Sequence, residues 1–403
     1  TDEERHVTPE ILSQLKSKAS TNDEVYTTVP KTGEELTVKF KELVGKDYDD
    51  PLWDTFLDQL TLEEQLRLFN EGCYSTASIT RGDDIIIPGS PSADGPTGLV
   101  SFLGNVLPGA KPAVYGGCYY CSECLVAQTY NVELAEKQAN AIGNEALVGN
   151  ERGDGLAYPG WYAPGVNLHR TPFSGRNTEY YSEDPFLAGR MAATVIRGVQ
   201  SKGVYANVKH FAVNDQETHR SAKGIATWLD EQAMRELYFK SFEIAVKEGK
   251  SHGLMTSFNR IGTRWAGAHK GLLTNVLRGE WGFQGVAHTD AVMANRNWMD
   301  VSIGVEAGND TWLSSGDWLV SKIQDWAKED YKLQNNLRAA CKNFLFAYVN
   351  STAINGLSSA DKVVSVPPAW QFALSGTTVS FGVLAIASIA LYGVACFLTR
   401  KEN

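Results

Sequence analysis

The sequence lacks an excess of basic residues. Its 403 residues include 37 lysines and arginines against 47 aspartates and glutamates, which gives a formal net charge of −10. A surface that binds nucleic acid needs a basic face whose contacts with phosphates release counterions. The charge balance therefore excludes nucleic acid as a partner.

Motifs for nucleotides and metals are also missing. No G-x-G-x-x-G follows an apolar run, so nothing favours a dinucleotide-binding fold. Cysteine is scarce, with six residues, of which Cys118, Cys121 and Cys124 form C-x-x-C-x-x-C. A zinc site or an iron–sulfur cluster requires four protein ligands, and no fourth ligand follows the three cysteines at a usual spacing. We therefore expect buried thiols or an adventitious disulfide at these three positions, and no metal or cofactor.

The amino terminus has neither an initiating methionine nor a leader of charged and then apolar residues. Residues 1–50 are polar, and the alternating run at residues 36–40 has the pattern of a strand. We interpret residues 1–50 as a lead-in from a module lying upstream.

What is present has the composition of a globular protein, with 43% hydrophobic and 21% charged residues. Helical spacing covers residues 51–72, 129–148, 185–198 and 231–248, and the runs GWYAPGVN, VYANV, HGLMTS and GVAHT fall between and after the later helices. This alternation is typical of β/α units around a parallel sheet. It predicts an α/β fold, a (β/α)8 barrel of the TIM type, over residues 51–345; a doubly wound open sheet is the alternative.

Polar clusters follow the apolar runs. In the stretch GVYANVKHFAVNDQETHR, a buried strand over residues 204–208 is expected to end just before Lys209 and His210, and Arg220 closes the stretch. Asp290 ends the run GVAHTD, and Asp94 lies in the turn SADGPTG. The active site of a (β/α)8 barrel is assembled at the carboxyl ends of its strands. These side chains are therefore expected to meet there.

The residue types in these clusters suit a sugar. Carboxylates among lysine, histidine and arginine are expected to have depressed pKa values and to stay ionised. An ionised carboxylate can accept hydrogen bonds from sugar hydroxyls or attack the anomeric carbon, which is the reaction of retaining glycosidases.

Five segments resemble the catalytic barrel of glycoside hydrolase family 3: DGPTG, GRNTEYYSEDPFLAGRMAATVIRGVQSKGV, VKHFAVNDQETHR, SFNRIGTRW and LRGEWGFQGVAHTDA. The likeness runs from about residue 53 to about residue 345. It implies that Asp290 is the nucleophile and that Asp94 binds the outer hydroxyls of the sugar in the innermost subsite. The other residues that it implies for this subsite are Arg176, Lys209, His210, Arg220, Met255 and Phe258.

The sequence departs from the family pattern at two positions. Ala291 follows the nucleophile where the family often has a large aromatic residue, and Phe258 stands where a tyrosine is usual. Both changes remove groups that face the sugar, and Trp298 is a candidate replacement platform. The segment KHFAVNDQETHR is similar to the β-glucosidase and β-xylosidase branch and differs from the N-acetylglucosaminidase branch.

The resemblance assigns no acid/base in this chain. In the glucosidase branch that residue is a glutamate of an α/β-sandwich domain, which does not follow the barrel here. We expect an upstream sandwich domain or a second chain to supply it, as in circularly permuted members. Glu217 and Glu183 are the candidates within the chain, although a structural role is expected for both.

The sequence of the carboxyl-terminal region predicts a membrane anchor. Residues 346–378 are expected to form a linker, and residues 379–398 are twenty residues without a charge. At 1.5 Å per residue they span about 30 Å, the hydrocarbon thickness of a bilayer. Arg400 and Lys401 follow, which predicts a cytoplasmic tail over residues 399–403 and an extracytoplasmic catalytic domain. A buried core helix is the alternative.

These expectations describe a membrane-tethered retaining β-glycosidase. The first expectation is an exo-acting β-glucosidase that hydrolyses terminal non-reducing β-D-glucosyl residues of oligosaccharides or glycosides by double displacement. A β-xylosidase is one alternative. A non-catalytic carbohydrate-binding or scaffold protein without the acid/base is the other.

Overall fold

A parallel sheet organises the main part of the chain. Its five strands are β1 (Ala93–Asp94), β2 (Gly160–Tyr162), β3 (Tyr205–Phe211), β4 (Gly253–Thr256) and β5 (Val286–Thr289). Each strand pairs in parallel with the next, so the order across the sheet equals the order along the chain. His288 extends the sheet through a parallel bridge to Thr311. A sheet in which the strands follow one another in chain order is typical of a TIM-type α/β fold. In a doubly wound sheet, by contrast, the strand order reverses at one point.

The structure is a computed structural model that describes residues 7–73, 75–76, 78–99, 117–149, 157–220, 224–293, 296–313, 327–354 and 369–401. Of the predicted eight-stranded barrel, these residues contain the five strands and the bridge to Thr311. They fall into two units, one that ends at residue 354 and one that is the helix of residues 369–401. Residues 1–6 of the predicted lead-in, 355–368 of the predicted linker and 402–403 of the predicted tail lie outside the described residues.

Helices connect the strands and cover the sheet. The α-helices with more than three residues are α1 (Pro9–Lys16), α2 (Leu52–Gln59), α3 (Leu62–Glu71), α4 (Glu123–Ala127), α5 (Val132–Val148), α6 (Pro185–Gln200), α7 (Lys240–Lys247), α8 (Val301–Ala307), α9 (Tyr331–Val349) and α10 (Ala369–Lys401). The 3₁₀ helices are Phe40–Leu43, Asn177–Glu179 and Ala266–Ala268. Short strands outside the central sheet are Ser75–Thr76, Ile79–Arg81, Asp84–Ile87, Ser90–Pro91, Ala226–Thr227, Arg260–Ile261 and Arg264–Trp265. Between β4 and β5 the crossover is a π-helical segment, Gly271–Glu280.

Strand β3 is longer than the sequence predicts. The expected strand over residues 204–208 ends before Lys209 and His210, but β3 continues through both to Phe211. Backbone pairing explains the extension: the Val166 amide donates to the Lys209 carbonyl at 2.8 Å, and the Ser257 amide donates to the Phe211 carbonyl at 2.8 Å. Both polar residues therefore belong to the sheet and not to the loop after it.

The predicted helix over residues 231–248 is interrupted. A single α-turn at Glu231–Ala233 leads into a π-helical segment at Met234–Tyr238, and α7 begins only at Lys240. The Phe239 amide donates to the Met234 carbonyl, five residues back. The wider turn accompanies burial of the Phe239 ring against Phe211 and Trp281, at centroid distances of 5.6 and 6.1 Å.

The expected strand at residues 36–40 is wrong. Val38 is buried without a strand partner, because the Gln59 side chain accepts from the Val38 amide and donates to the Val38 carbonyl. Phe40 packs on Phe56 of α2 with ring centroids 5.4 Å apart. Alternating hydrophobicity here comes from packing on a helix, and the upstream module stays a prediction.

The core outside the sheet depends on close packing of α5, α6 and α7. Gly189 of α6 lies against Ile244 of α7, where a Cβ atom would be 2.8 Å from the Ile244 Cβ. Phe242 of α7 is fully buried, and its ring lies 5.1 Å from that of Phe211 at the end of β3. The helix layer thus holds the strand end that carries the predicted polar residues.

The apolar carboxyl-terminal helix is longer than predicted. Helix α10 begins ten residues before the expected start at residue 379, and residues 369–399 have a mean hydropathy of 2.3 over their most apolar part. Their length corresponds to about 46 Å at the usual helical rise. The helix is long and apolar enough to cross a bilayer, and its described side chains are almost all exposed.

The buried ring of Phe242 provides a test of the helix layer. Phe242→Ala is expected to lower the free energy of unfolding by about 3–5 kcal/mol, because it removes a fully buried ring and leaves a cavity. The measurement is urea unfolding of the full chain in detergent, followed by tryptophan fluorescence. Phe186→Ala on α6 is the control, since the Phe186 ring is 60% exposed and should change stability by less than about 0.5 kcal/mol. Equal effects of the two substitutions would contradict the packing described.

Candidate active site

The carboxyl ends of the parallel strands bring five predicted site residues to one edge of the sheet. Lys209 and His210 lie at the end of β3, and Asp290 directly follows β5. Asp94 ends β1, and Phe258 comes two residues after β4. Because every neighbouring pair of strands is parallel, these ends share an edge.

A buried ammonium group lies at the centre of this edge. The Lys209 side chain is 5% exposed, and its Nζ is 3.0 Å from both Asp94 Oδ1 and Glu179 Oε1. Burial opposes the charge of Lys209, but the two carboxylates raise its pKa above the ordinary value. Burial likewise opposes ionisation of Glu179, yet Lys209 and Arg176 lower the pKa of Glu179 to about 2. Glu179, which the sequence did not single out, is thus a carboxylate whose ionised form the neighbouring cations stabilise.

Two arginines extend this network through Glu217. Arg176 Nη2 is 2.7 Å from Glu179 Oε2, and Arg176 Nη1 is 3.5 Å from Glu217 Oε1. Arg220 Nε is 2.7 Å from Glu217 Oε2. Both oxygens of Glu217 thus face guanidinium groups, which favours a structural role over that of a proton donor. Glu183, the other candidate acid/base, is an exposed residue just before α6.

His210 is held as a neutral imidazole. Burial, together with Arg176, Lys209 and Arg220, lowers the pKa of His210 well below its usual value. Arg176 Nη2 lies 3.0 Å from His210 Nε2 and can only donate, so Nε2 accepts. The proton therefore sits on Nδ1, 3.3 Å from the Tyr180 hydroxyl.

Asp290 keeps one carboxylate oxygen uncommitted. Its Oδ1 accepts from the Ala291 amide at 2.7 Å, whereas Oδ2 accepts no hydrogen bond from any described residue. The His210 Nε2 is 3.9 Å from Oδ2, too far for a hydrogen bond. Burial raises the pKa of Asp290, and Arg176, Arg220 and Lys209 oppose this only in part. The expected depressed pKa is thus wrong for Asp290, because burial outweighs the cations.

Two guanidinium groups lie against the ring of Phe258. The Cζ atoms of Arg220 and Arg296 are 4.6 and 4.0 Å from the centre of the Phe258 ring. Trp298 Nε1 donates to the Phe258 carbonyl at 2.9 Å, and Arg260 lies over the Trp298 ring at 5.6 Å. The indole N–H is therefore occupied within the protein, and the sugar platform at Trp298 stays a prediction.

The two residues that depart from the family pattern, Phe258 and Ala291, contact the same side chain. Arg296, which stacks on Phe258, also donates through Nη1 to the carbonyl of Ala291. Sequence reasoning missed Arg296, since it follows no strand directly and belongs to none of the matching segments.

Met255 is not joined to this network by any hydrogen bond or ion pair described. It is buried in β4, in a small apolar cluster with Cys73 and Tyr162. Its predicted place in the sugar subsite stays a prediction.

Three further polar residues were missed by sequence reasoning. Glu179 has a visible signal, because it lies three residues after Arg176 and can pair with it. Asn167 holds the His210 backbone through both its amide atoms, at 2.7 and 3.1 Å. Glu123 lies in an apolar helix, accepts from the Gly165 amide at 3.1 Å, and has a pKa raised well above the usual value by burial and Glu179. No sequence pattern distinguishes Asn167 or Glu123.

The cysteine triplet is more exposed than expected. Cys118 and Cys121 are exposed, Cys124 is half-buried, and no disulfide joins the six cysteines. Within the described residues, no group of three or more histidine, cysteine, aspartate or glutamate side chains is placed to hold a metal ion.

Known proteins match this chain over its central part. Residues 107–339 match the model of the glycosyl hydrolase family 3 N-terminal domain. Beta-glucosidase A of Butyrivibrio fibrisolvens is 35% identical over 267 residues, which are 65% of this chain and 30% of that protein. Exo-alpha-(1->6)-L-arabinopyranosidase of Bifidobacterium breve is 37% identical over 238 residues, 57% of this chain and 29% of that protein. The chain thus spans about a third of the length of these relatives.

A solved structure shares the fold. Beta-glucosidase 3B from Thermotoga neapolitana in complex with glucose superimposes with a TM-score of 0.64 at 31% identity, covering 77% of this chain and 44% of that one. The fold is therefore the TIM-type α/β fold of that domain. Since the family model matches more than half of its residues, the chain belongs to glycosyl hydrolase family 3.

Proposed function

We propose that the chain is the barrel part of a retaining, exo-acting β-glucosidase with Asp290 as its nucleophile. The observation that carries the proposal is the uncommitted Oδ2 of Asp290, which lies beside His210 at the strand edge. The relatives named as beta-glucosidases support the same activity. A nucleophile needs a free lone pair and a fixed position, and the Ala291 amide supplies the latter.

The reaction follows from these groups. Asp290 Oδ2 attacks the anomeric carbon, the glycosidic C–O bond breaks, and a glycosyl ester forms. Water then hydrolyses the ester with overall retention. A second carboxyl group about 5–5.5 Å away protonates the leaving oxygen and later activates the water.

We propose that this acid/base comes from outside the described residues. Glu217 is held by two guanidinium groups and Glu183 is exposed, so neither is favoured. An upstream α/β-sandwich domain or a second chain is the proposed source, in keeping with the greater length of the relatives. The eight-stranded closure of the barrel is part of the same proposal.

The sugar would bind against the charged edge of the sheet. Asp94 would accept from the outer hydroxyls, while its other partner, Lys209, keeps it in place. The remaining residues that we assign to this subsite are Arg176, His210, Arg220, Met255 and Phe258. Glucose is the proposed sugar, in keeping with the relatives named as beta-glucosidases, and xylose is the alternative.

A non-catalytic carbohydrate-binding protein is the second candidate. The favouring observation is that Glu217 is held by two guanidinium groups and Glu183 is exposed, so neither candidate acid/base of this chain is favoured. We prefer the enzyme, because a binding protein has no need for a buried carboxylate oxygen without a partner.

Helix α10 is proposed to anchor the protein in a membrane, with the barrel outside the cytoplasm. Its length and hydropathy support the span, and Arg400 and Lys401 near its end support the orientation.

The nucleophile is tested by hydrolysis of 4-nitrophenyl β-D-glucoside by the full chain. Nitrophenolate needs little protonation to leave, so turnover should occur even without the acid/base. Asp290→Asn should lower kcat at least about 10³-fold, because it removes the attacking oxygen anion. Asp84→Asn, at an exposed position in a short strand, is the matched control and should retain activity.

Two outcomes would redirect the proposal. Activity that survives Asp290→Asn would remove Asp290 as nucleophile. No turnover of aryl β-glucosides, alone or with a sandwich-domain protein, together with measurable glucose binding, would support the non-catalytic candidate.

Lys209 is tested through stability as a function of pH. Lys209→Met should lower the free energy of unfolding by about 3–5 kcal/mol at pH 7, because two carboxylates lose a buried partner. The ionised Glu179 stabilises the fold above its ordinary pKa of 4.5, and this contribution is lost as the pH falls toward its folded value of about 2. The difference between variant and wild type should therefore shrink across this window in urea unfolding. Lys240→Met, which breaks a surface ion pair with Glu243, should cost less than about 1 kcal/mol at either pH.

The anchor is tested by fractionation and labelling of intact cells. The full chain should remain in the membrane after alkaline carbonate washing. Replacing Val383, Ile386 and Ile389 by aspartate should release it, because each buried charge costs about 2.5–3.5 kcal/mol at the bilayer centre. An impermeant maleimide should label the exposed Cys118 and Cys121 without lysis, and a variant with serine at both is the control. Labelling only after lysis would reverse the proposed topology.

A further inference from the structure

Arg296 makes two contacts at the edge of the site. Its Nη1 donates to the carbonyl of Ala291, and its Cζ lies 4.0 Å from the centre of the Phe258 ring. The guanidinium is thereby fixed between the segment after β5 and the segment after β4. Arginine suits this position, because its planar group can stack and donate at the same time.

The Ala291 contact leads directly to Asp290. The carbonyl of Ala291 accepts from Arg296, and the amide of Ala291 donates to Asp290 Oδ1 at 2.7 Å. Arg296 therefore acts on Asp290 through the backbone of one intervening residue. The side chain of Ala291 is a methyl group, so it contributes no polar contact of its own.

The charges of the other cations in the site are already paired. Lys209 faces Asp94 and Glu179, while Arg176 and Arg220 share Glu217. Arg296 forms no ion pair with any described carboxylate. Burial lowers the pKa of Arg296, and the carboxylate whose field opposes this is Asp290.

We propose that Arg296 is a positioning residue, which holds the Asp290–Ala291 backbone in place and adds its positive charge to those that favour the ionised Asp290 carboxylate. The inference rests on the proposed role of Asp290 as nucleophile. A protonated carboxyl group cannot attack an anomeric carbon, so the charge of Arg296 contributes to setting the lowest pH at which the site reacts.

Other charged groups also face Asp290 and are unchanged by a substitution at Arg296. They are Arg176, Lys209 and Arg220, the imidazole of His210, and the carboxylates of Asp94, Glu179 and Glu217 that pair with these cations. Any shift between variants with equal folds is therefore assigned to Arg296. Removing a neighbouring positive charge raises the pKa of a carboxyl group, typically by about one unit or more.

The test measures how fast 2-deoxy-2-fluoro-β-D-glucosyl fluoride labels the full chain at different pH values. Asp290 forms an ester with C1 while the C1–F bond breaks and fluoride leaves with the bonding electrons. Mass spectrometry of the intact chain gives the rate, and peptide mapping gives the labelled residue. Fluoride leaves without strong protonation, so the missing acid/base does not limit this reaction.

The expected result is a shift in the acid limb of labelling. In Arg296→Gln, the pH at which the labelling rate falls should be about one unit higher than in wild type. Arg296→Lys keeps the charge and should stay near the wild-type limb. Arg296→Met, which keeps an unbranched chain against the Phe258 ring, repeats the test if Arg296→Gln does not fold, as judged by circular dichroism. Arg67→Gln on the exposed face of α3 is the matched control.

The outcomes separate this inference from the function on which it rests. Wild-type labelling at Asp290 with the same acid limb in Arg296→Gln or Arg296→Met would overturn the inference alone. An equal shift in Arg296→Lys would show that the charge is not responsible and would also overturn it. Wild type that is not labelled at Asp290 at any pH would overturn the proposed function itself.

Discussion

The site depends on one buried ammonium group. Lys209 belongs to β3 and is almost inaccessible to solvent, so its charge is tolerated only because Asp94 and Glu179 each approach within 3.0 Å. Asp94 comes from β1, and Glu179 from the 3₁₀ helix before α6. The ion pairs therefore tie two distant segments of the sequence to the end of β3, and the arginines attach to the network through Glu179 and Glu217.

Within this network, burial and charge act on each carboxylate in opposite directions. Glu179 accepts from two cations directly, and its pKa falls to about 2. Asp290 is buried nearby without a direct cation partner, and its pKa rises. Glu123 is buried beside another carboxylate, and burial raises its pKa well above the usual value. One edge of the sheet thus contains carboxyl groups whose pKa values are shifted in opposite directions. Among the described residues, Asp290 combines burial with an uncommitted oxygen 3.9 Å from the His210 imidazole.

Arg296 contacts both positions at which this sequence departs from the family pattern, Phe258 and Ala291. A phenylalanine ring at residue 258 offers a face for stacking, and a small residue at 291 leaves its carbonyl open to the guanidinium. The charge balance around Asp290 therefore depends on a residue outside the strand ends. It lies in the segment after β5, six residues beyond Asp290.

The sequence by itself determined the alternation of strands and helices, the anchor-like helix, and most polar residues of the site, because periodicity and segment matches are local properties. It could not determine the end of β3, the π-turn before α7 or the packing of residues 36–40, since these depend on backbone pairing and burial against distant segments. It also missed the roles of Glu179, Glu123 and Arg296. The state of a buried charge is decided by what surrounds it in space, so only the tertiary structure reversed the expected pKa shift of Asp290.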